Sequence, residues 1–222
     1  VHTGQPTSGT MAEWGQKEVE AIHQAPGKLP AIIAVDLIDA CATRKHVYGT
    51  DSRDVQRGID YFNYGGLVTI AWHWNAPMHQ KLTKEHMWWS GFYTEASTFS
   101  LKDALADKES PEFKAIVADI EDACEVLRPY KEQDIPVLWR PLHEAAGGWF
   151  WWGACGPEPC IELWNLMYDI MVNKHGMNNL LWVWNGQHPD WYPGDDKVDI
   201  IGADIYAGKH VYHPQNSWFQ IC

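Results

Sequence analysis

The residues best suited to acid–base chemistry stand together in residues 135–153. An arginine, an imidazole and a carboxylic acid, Arg140, His143 and Glu144, follow a short apolar run within five residues. Two glycines and four aromatic residues come next, over residues 147–152. Indole faces suit the apolar faces of sugar rings, and a carboxylic acid beside them suits proton transfer to a glycosidic oxygen. The pattern predicts the edge of an active site that cleaves a carbohydrate.

Each of these residues also has an ordinary structural interpretation. Tryptophan rings fill protein cores readily. Arg140 and Glu144 could form an ion pair across the end of a strand. The combination favours a ligand site, because four aromatic residues directly after two glycines cannot all point into one core.

The segment WRPLHEAAGGWFWWG resembles the acid/base motif of glycoside hydrolase family 26, a family of (β/α)8 barrels best known for endo-β-1,4-mannanases. The shared pattern is Arg-Pro-x-His-Glu followed by Trp-Phe-x-Trp-Gly, and other parts of the chain match the family in order. The resemblance implies a retaining mechanism. Glu144, at the end of the fourth barrel strand, would be the general acid and then the general base, oriented by Arg140 and His143.

Further site residues are implied by the same resemblance. Residues 72–75 resemble the family's third-strand signature, which makes His73 a substrate contact, although a lone histidine is more often structural. Residues 202–206 resemble a Gly-x-Asp-x-Tyr sequence whose tyrosine, here Tyr206, hydrogen-bonds the nucleophile. Gln5 is placed near the floor of the cleft. With Glu144 as the catalytic residue, the predicted substrate-binding residues are His73, Trp74, Arg140, His143, Trp149, Trp152, Trp184 and Tyr206.

Strands and helices alternate along the chain. Helical patterns and their end signals cover residues 11–24, 53–64, 111–133 and 158–175. Polar residues follow the apolar runs, as at the carboxyl ends of the parallel strands of a (β/α)8 barrel. We predict one α/β catalytic domain over residues 1–222, an incomplete (β/α)8 TIM barrel with strands 1 to 6; an open doubly wound sheet is the alternative. The predicted strands are the end of one at residues 1–5, then residues 31–37, 67–71, 135–139, 180–184 and 198–202.

Two features outside the motif also bear on the site. The insertion at residues 78–110 contains four bulky aromatic residues near its centre and is predicted to form a wall of the cleft, because long loops in compact domains are usually functional. Asp36 ends a predicted strand on the side where barrel active sites form. It either contacts substrate or serves as a cap or ion-pair partner.

The carboxyl-terminal part of the chain departs from the family pattern. Retention requires a second carboxylate about 5 Å from the acid, and in this family that nucleophile is a Glu at the end of the seventh strand. The last Glu in this chain is Glu162, before the fifth predicted strand. We therefore expect strands seven and eight to be missing together with the nucleophile, so that the chain is about three-quarters of a catalytic domain.

Composition argues against several classes of protein. The net charge of −12 argues against binding to nucleic acid or an anionic membrane, since both reward clustered Lys and Arg. The sequence contains no apolar run of about 18 residues, the length that would predict a membrane span. The fourteen Trp favour an aromatic-lined cleft. The first residue is Val, which indicates a processed product or a fragment, and the resemblance implies an extracellular, secreted enzyme.

No cofactor and no metal are expected, because two carboxylates and water suffice for this chemistry. The eleven His show no zinc-binding pattern. The acidic residues at 195, 196 and 199 either bind calcium or form a solvated loop. Cys155 and Cys160 are close enough in sequence to form a disulfide, but two prolines stiffen the segment, and the odd count of five Cys leaves at least one free thiol.

Three functions agree with these observations. The first is an endo-acting β-1,4-mannanase, or a fragment of one, with mannan polysaccharide or oligosaccharide as its partner. The second keeps the family but changes the substrate to β-1,3-xylan or mixed-linkage β-glucan. The third is a carbohydrate-binding protein without turnover, which the missing nucleophile makes conceivable.

Overall fold

The computed structural model describes residues 22–24, 28–44, 53–81 and 83–204. The first predicted strand and most of the first predicted helix lie outside the described residues, as do Gln5 and Tyr206. The other predicted strands and helices can be compared with the structure directly.

Five parallel strands form one sheet within the described residues, and they pair in chain order. An open doubly wound sheet reverses its strand order at a switch point, whereas a barrel adds each new strand to the same edge. The observed order therefore favours the predicted barrel over the doubly wound alternative. The strands, which correspond to the second to sixth predicted ones, are β1 Ile32–Asp36, β2 Leu67–Ala71, β3 Val137–Arg140, β4 Leu180–Trp184 and β5 Ile200–Ile201.

The helices lie between the strands in sequence. Two of them begin at serine caps: Ser100 accepts a hydrogen bond from a backbone N–H of the first turn of the helix Leu101–Ala106, and Ser110 does the same for the helix Pro111–Glu132. None of the described helices is both long and apolar enough to cross a membrane. The α-helices are α1 Arg53–Asn63, α2 Leu101–Ala106, α3 Pro111–Glu132 and α4 Pro157–Tyr168. The helix predicted over residues 158–175 differs at its end, where α4 continues as a π-helical segment, Asp169–Lys174.

Alternation along the strands sorts side chains into a covered face and an open face. Val68 and Ile70 of β2 are buried in the core shared with the helices, whereas Leu67 is 44% exposed. Because successive side chains of a strand point to opposite faces, residues two apart share a face. The open face includes Asp36 and Arg140 at the ends of β1 and β3. If the two-residue alternation is continued past the ends of β2 and β4, His73 and Asn185 belong to the same open face.

The calcium and disulfide alternatives concern residues away from these strand ends. Cys155 and Cys160 are free thiols. Asp195 accepts a hydrogen bond from the hydroxyl of Tyr192 at 2.8 Å. Asp199 accepts one from the backbone N–H of Trp182 at 2.8 Å. The carboxylates of Asp195 and Asp199 are therefore engaged in separate structural contacts.

Candidate active site

The turn after β3 holds the predicted acid in an unusual backbone conformation. Leu142 and Glu144 have left-handed φ angles of 49° and 55°. Such strain costs roughly 1–3 kcal/mol for each residue and persists only where surrounding contacts enforce it. The Glu144 N–H donates to the carbonyl of Asn185 at 2.7 Å, and the Trp152 indole donates to the carbonyl of His143 at 3.0 Å. The residue after β4 and the aromatic turn thus hold the acid in place.

The carboxyl group of Glu144 is nearly buried, with the residue 7% exposed. Burial raises its pKa above the usual value, and a hydrogen bond with Asp204 and the charge of that residue add to the effect. A 3.1 Å hydrogen bond from the Trp149 indole and the positive charge of Arg140 act in the opposite direction without cancelling it. A carboxyl group that keeps its proton to higher pH is suited to general acid catalysis.

Arg140 links the ends of β3, β4 and β5. Its Nη1 donates to Oδ2 of Asp204 at 2.8 Å and to Oδ1 of Asn185 at 3.2 Å. The ion pair therefore forms with Asp204 and not with Glu144, which was the structural interpretation of the motif. It fixes the second carboxylate beside the acid.

An aspartate and two histidines form a line of contacts across the ends of β1, β2 and β3. Asp36 accepts a hydrogen bond from the backbone N–H of His73 at 3.0 Å and another from Nδ1 of the same ring. Nε2 of His73 lies 3.3 Å from Nε2 of His143. Burial lowers the pKa of His143 to about 2, with help from the charges of His73 and Arg140, so this ring is neutral in ordinary solution.

A cavity of about 350 Å³ lies beside these groups. Its size falls in the range of about 300–1,000 Å³ that is usual for small-molecule sites. Trp149 and Tyr93 are the aromatic lining residues that are most exposed, at 45% and 37%. The lining residues are His73, Tyr93, Arg140, His143, Glu144, Trp149, Phe150 and Asp204.

The insertion at residues 78–110 forms one wall of this cavity, as predicted. Thr94 donates its N–H to the carbonyl of Trp149 and its hydroxyl to the carbonyl of Gly148, both at 2.8 Å. Tyr93 pairs with Phe150 through the backbone, and their rings stack at 5.8 Å. The insertion is more ordered than a simple loop, because it contains α2 and two short 3-10 turns.

Three of the predicted substrate-binding tryptophans lie in the core. Trp74 and Trp152 have 0% exposed surface, and Trp184 has 6%. The indole of Trp74 donates to the buried carboxylate of Asp119 at 2.8 Å, and that of Trp184 donates to the carbonyl of Trp191 at 3.1 Å. Trp74 and Trp152 have no exposed surface to offer a sugar, and Trp184 is not among the residues that line the cavity. We therefore correct the assignment of these three residues from substrate contacts to core packing.

The remaining predicted residues are brought together, and others join them. His73, Arg140, His143, Glu144 and Trp149 all line the cavity, whereas Tyr206 lies outside the described residues. The residues that sequence reasoning did not include are Tyr93, Phe150, Asn185 and Asp204.

Strand alternation was the signal that could have found some of these residues. Counted in twos from the buried residues of β4, Trp184 belongs to the covered face and Asn185 to the open one. The same count from β2 covers Trp74 and leaves His73 open. Tyr93 is one of the four aromatic residues of the insertion that was predicted to form a wall, but the sequence does not show which of the four faces the cavity.

Comparisons with known proteins agree with this geometry. A family profile described as Glycosyl hydrolase family 26 matches residues 1–222. A mannan endo-1,4-beta-mannosidase of Thermothelomyces thermophilus is 47% identical over 196 residues, which are 87% of this chain and 40% of that protein. The crystal structure of a Podospora anserina GH26-CBM35 beta-(1,4)-mannanase is similar with a TM-score of 0.87 and 45% identity, over 92% of this chain and 45% of that one.

A second solved structure is similar over nearly the whole chain. It is a beta-mannanase from a symbiotic protist of the termite Reticulitermes speratus, complexed with gluco-manno-oligosaccharide, with a TM-score of 0.81, 33% identity and coverage of 99% of this chain and 66% of that one. These neighbours confirm the predicted barrel fold. The chain spans less than half the length of the Thermothelomyces relative, namely 40%.

Proposed function

Since the chain belongs to glycosyl hydrolase family 26, we propose that it carries the acid/base side of an endo-β-1,4-mannanase active site. The observation that carries the proposal is the environment of Glu144. Its carboxyl group is nearly buried, has a raised pKa and lines a cavity beside an exposed indole. The substrate class comes from the relatives, which are mannanases.

In the proposed mechanism Glu144 acts twice. As the acid it protonates the glycosidic oxygen while a nucleophile attacks the sugar, and as a carboxylate it then takes a proton from the water that releases the product. Its surroundings suit both roles. Burial and Asp204 favour the protonated form, whereas the Trp149 N–H and the charge of Arg140 favour the ionised form.

Asp204 is not a suitable nucleophile, although it lies beside the acid. Retaining enzymes hold their two carboxyl groups about 5–5.5 Å apart. Asp204 is instead hydrogen-bonded to Glu144 and paired with Arg140. We assign the nucleophile to a residue outside the described part of the chain, and Tyr206 remains the proposed partner of that nucleophile.

The substrate contacts follow from the lining of the cavity. The exposed faces of Trp149 and Tyr93 suit the apolar faces of mannose rings. Arg140 reaches the same cavity and can hydrogen-bond sugar hydroxyls through its remaining N–H groups. His73 lines the cavity with its ring, because both of its nitrogens are engaged by Asp36 and His143. The proposed partner is therefore mannan or a manno-oligosaccharide. Because this polymer is too large to enter a cell, the proposed location of the enzyme is extracellular.

Substitution of Glu144 tests the proposal directly. In a version of the protein that carries the nucleophile, Glu144→Gln should abolish the release of reducing sugar from β-1,4-mannan, while calorimetric binding of a manno-oligosaccharide persists. Glu132→Gln, an exposed carboxylate at the end of α3, is the matched control and should leave both measurements unchanged. Full activity of the Glu144 variant on mannan would remove Glu144 from the mechanism.

Two further arms separate the alternatives. β-1,3-xylan and mixed-linkage β-glucan are assayed beside mannan, and faster turnover of either one would replace the proposed substrate. Binding of manno-oligosaccharide by the unsubstituted chain, without any release of sugar from the three polymers, would instead support a carbohydrate-binding protein without turnover.

A further inference from the structure

Asp36 does not line the cavity, but it is connected through His73 and His143 to the turn after β3 that holds Glu144. Its Oδ1 accepts the backbone N–H of His73 at 3.0 Å, and its Oδ2 contacts Nδ1 of that ring. The backbone N–H of Asp36 in turn donates to Asp54 on α1 at 3.2 Å, which anchors the end of β1. We propose that Asp36 is a positioning residue that sets the tautomer of His73 and, through it, holds the ring of His143 beside Glu144. This inference rests on the proposed role of Glu144 as the acid.

The chemistry of the contacts fixes their direction. A carboxylate only accepts hydrogen bonds, so Nδ1 of His73 carries the hydrogen. In the neutral ring Nε2 of His73 is then an acceptor, and Nε2 of His143, 3.3 Å away, must donate to it. His143 is left with an unprotonated Nδ1.

The burial of His143 agrees with this direction. Its Nδ1 is buried and has no hydrogen-bond partner among the described residues. A buried N–H without an acceptor is rarer in proteins than an acceptor that is not used. A protonated His73 would reverse the order and place such an unpaired N–H on His143.

The ring of His143 connects this line of contacts to the acid. It is buried and packs edge-on against His73, with ring centroids 4.6 Å apart. Its neighbours on either side, Leu142 and Glu144, have left-handed φ angles. The side chain of the central residue in this strained turn is thus held from the end of β1, and a change in that hold changes where the carboxyl group of Glu144 lies.

Asp36→Asn should reverse the direction of the hydrogen bonds along this line of contacts, because the Asn side chain has nearly the same size but offers a donor in place of Oδ2. One side-chain oxygen remains to accept the His73 backbone N–H, so the amide NH2 takes the place of Oδ2. His73 must then accept at Nδ1 and donate from Nε2, and His143 must accept at Nε2. Two-bond ¹⁵N–¹H spectra of the imidazole rings, assigned with His73→Gln and His143→Gln variants, report both tautomers.

The expected spectra are specific. In the unsubstituted chain His73 carries its hydrogen on Nδ1 and His143 on Nε2, and Asp36→Asn reverses both. Glu112→Gln, which removes the carboxylate partner of His79 at 2.8 Å, is the matched control and should change neither. Any other pattern in the unsubstituted chain, or an unchanged His143 tautomer in folded Asp36→Asn protein, overturns the proposal. If Asp36→Asn does not fold, the unsubstituted pattern decides.

Kinetics distinguish positioning from a general loss of structure. In the version that carries the nucleophile, Asp36→Asn should lower kcat on mannan by up to about 100-fold, because a displacement of about 1 Å at a reacting group can cost that much. The burst of dinitrophenolate from an aryl mannoside should stay close to normal, since that leaving group needs no acid. Equal losses on both substrates would overturn the proposal. Failure of the nucleophile-bearing version to cleave mannan would count against the proposed function, whereas the tautomers still decide the role of Asp36.

Discussion

Replacing Gly147 with alanine should move Trp149 away from the acid without unfolding the turn. A Cβ at position 147 would lie 2.2 Å from the Trp149 ring, and ordinary contact begins at 3.4 Å, so the ring must move by the difference, about 1.2 Å. The hydrogen bond from this indole to Glu144 is 3.1 Å long and is lost by such a movement. Because the indole is largely exposed, it can move at little cost to folding.

In a version of the protein that carries the nucleophile, the lost hydrogen bond should appear in the pH dependence of hydrolysis. The Trp149 N–H stabilises the ionised form of Glu144, so its loss raises the pKa of this carboxyl group further. The basic limb of the profile of kcat/KM against pH therefore moves to higher pH. A displacement of about 1 Å also lowers kcat/KM by up to about 100-fold. The melting temperature should change by less than about 2 °C, as for most exposed substitutions.

A double-mutant cycle provides the control. Trp149→Phe removes the N–H donor without adding a clash at residue 147. Because both substitutions act through one hydrogen bond, Gly147→Ala should shift the basic limb much less in the Trp149→Phe background than in the unsubstituted protein. An equal shift in the two backgrounds, or no shift at all, would refute this reasoning.

Three stability measurements test other parts of the structure. Glu144→Gln should melt higher than the unsubstituted protein at neutral pH but not at low pH, because stability from a raised folded-state pKa is lost as pH rises through that pKa; equal melting at every pH would contradict this. Gly153→Ala places a Cβ 2.1 Å from a backbone carbonyl oxygen and should destabilise the protein by about 1–3 kcal/mol in urea unfolding, and an unchanged midpoint would contradict the clash. Burial opposes the charge of Glu121, but hydrogen bonds from Lys174 and His175 outweigh it and lower the pKa of Glu121 below 4.5. Glu121→Gln should therefore cost about 0.5–1 kcal/mol at pH 7, and a difference that persisted below that pKa would contradict the assignment.

Local pattern was sufficient to predict most strands. The apolar runs at residues 67–71 and 180–184 form β2 and β4 with the predicted bounds. The run at 135–139 becomes β3 only from Val137, because Pro136 has no N–H to offer the strand ladder. The helix predicted over residues 158–175 ends at Lys174, within one residue of its predicted end, but its last six residues form a π-helix, which keeps a helical spacing of apolar residues with wider turns.

The sequence by itself indicated Glu144 as the candidate acid, its neighbours Arg140 and His143, and the family, because these residues lie within five positions of one another and their spacing can be recognised without knowledge of the fold. Only the tertiary structure decided which indoles face the cavity and that Arg140 pairs with Asp204. Only the tertiary structure brings Asp36 into contact with His73, 37 positions away, and His73 into contact with His143, 70 positions away. The physical reason is that parallel strands, separated by long crossovers, place their carboxyl ends side by side. Strand alternation sets the face on which a side chain lies, but not which distant side chain it meets there.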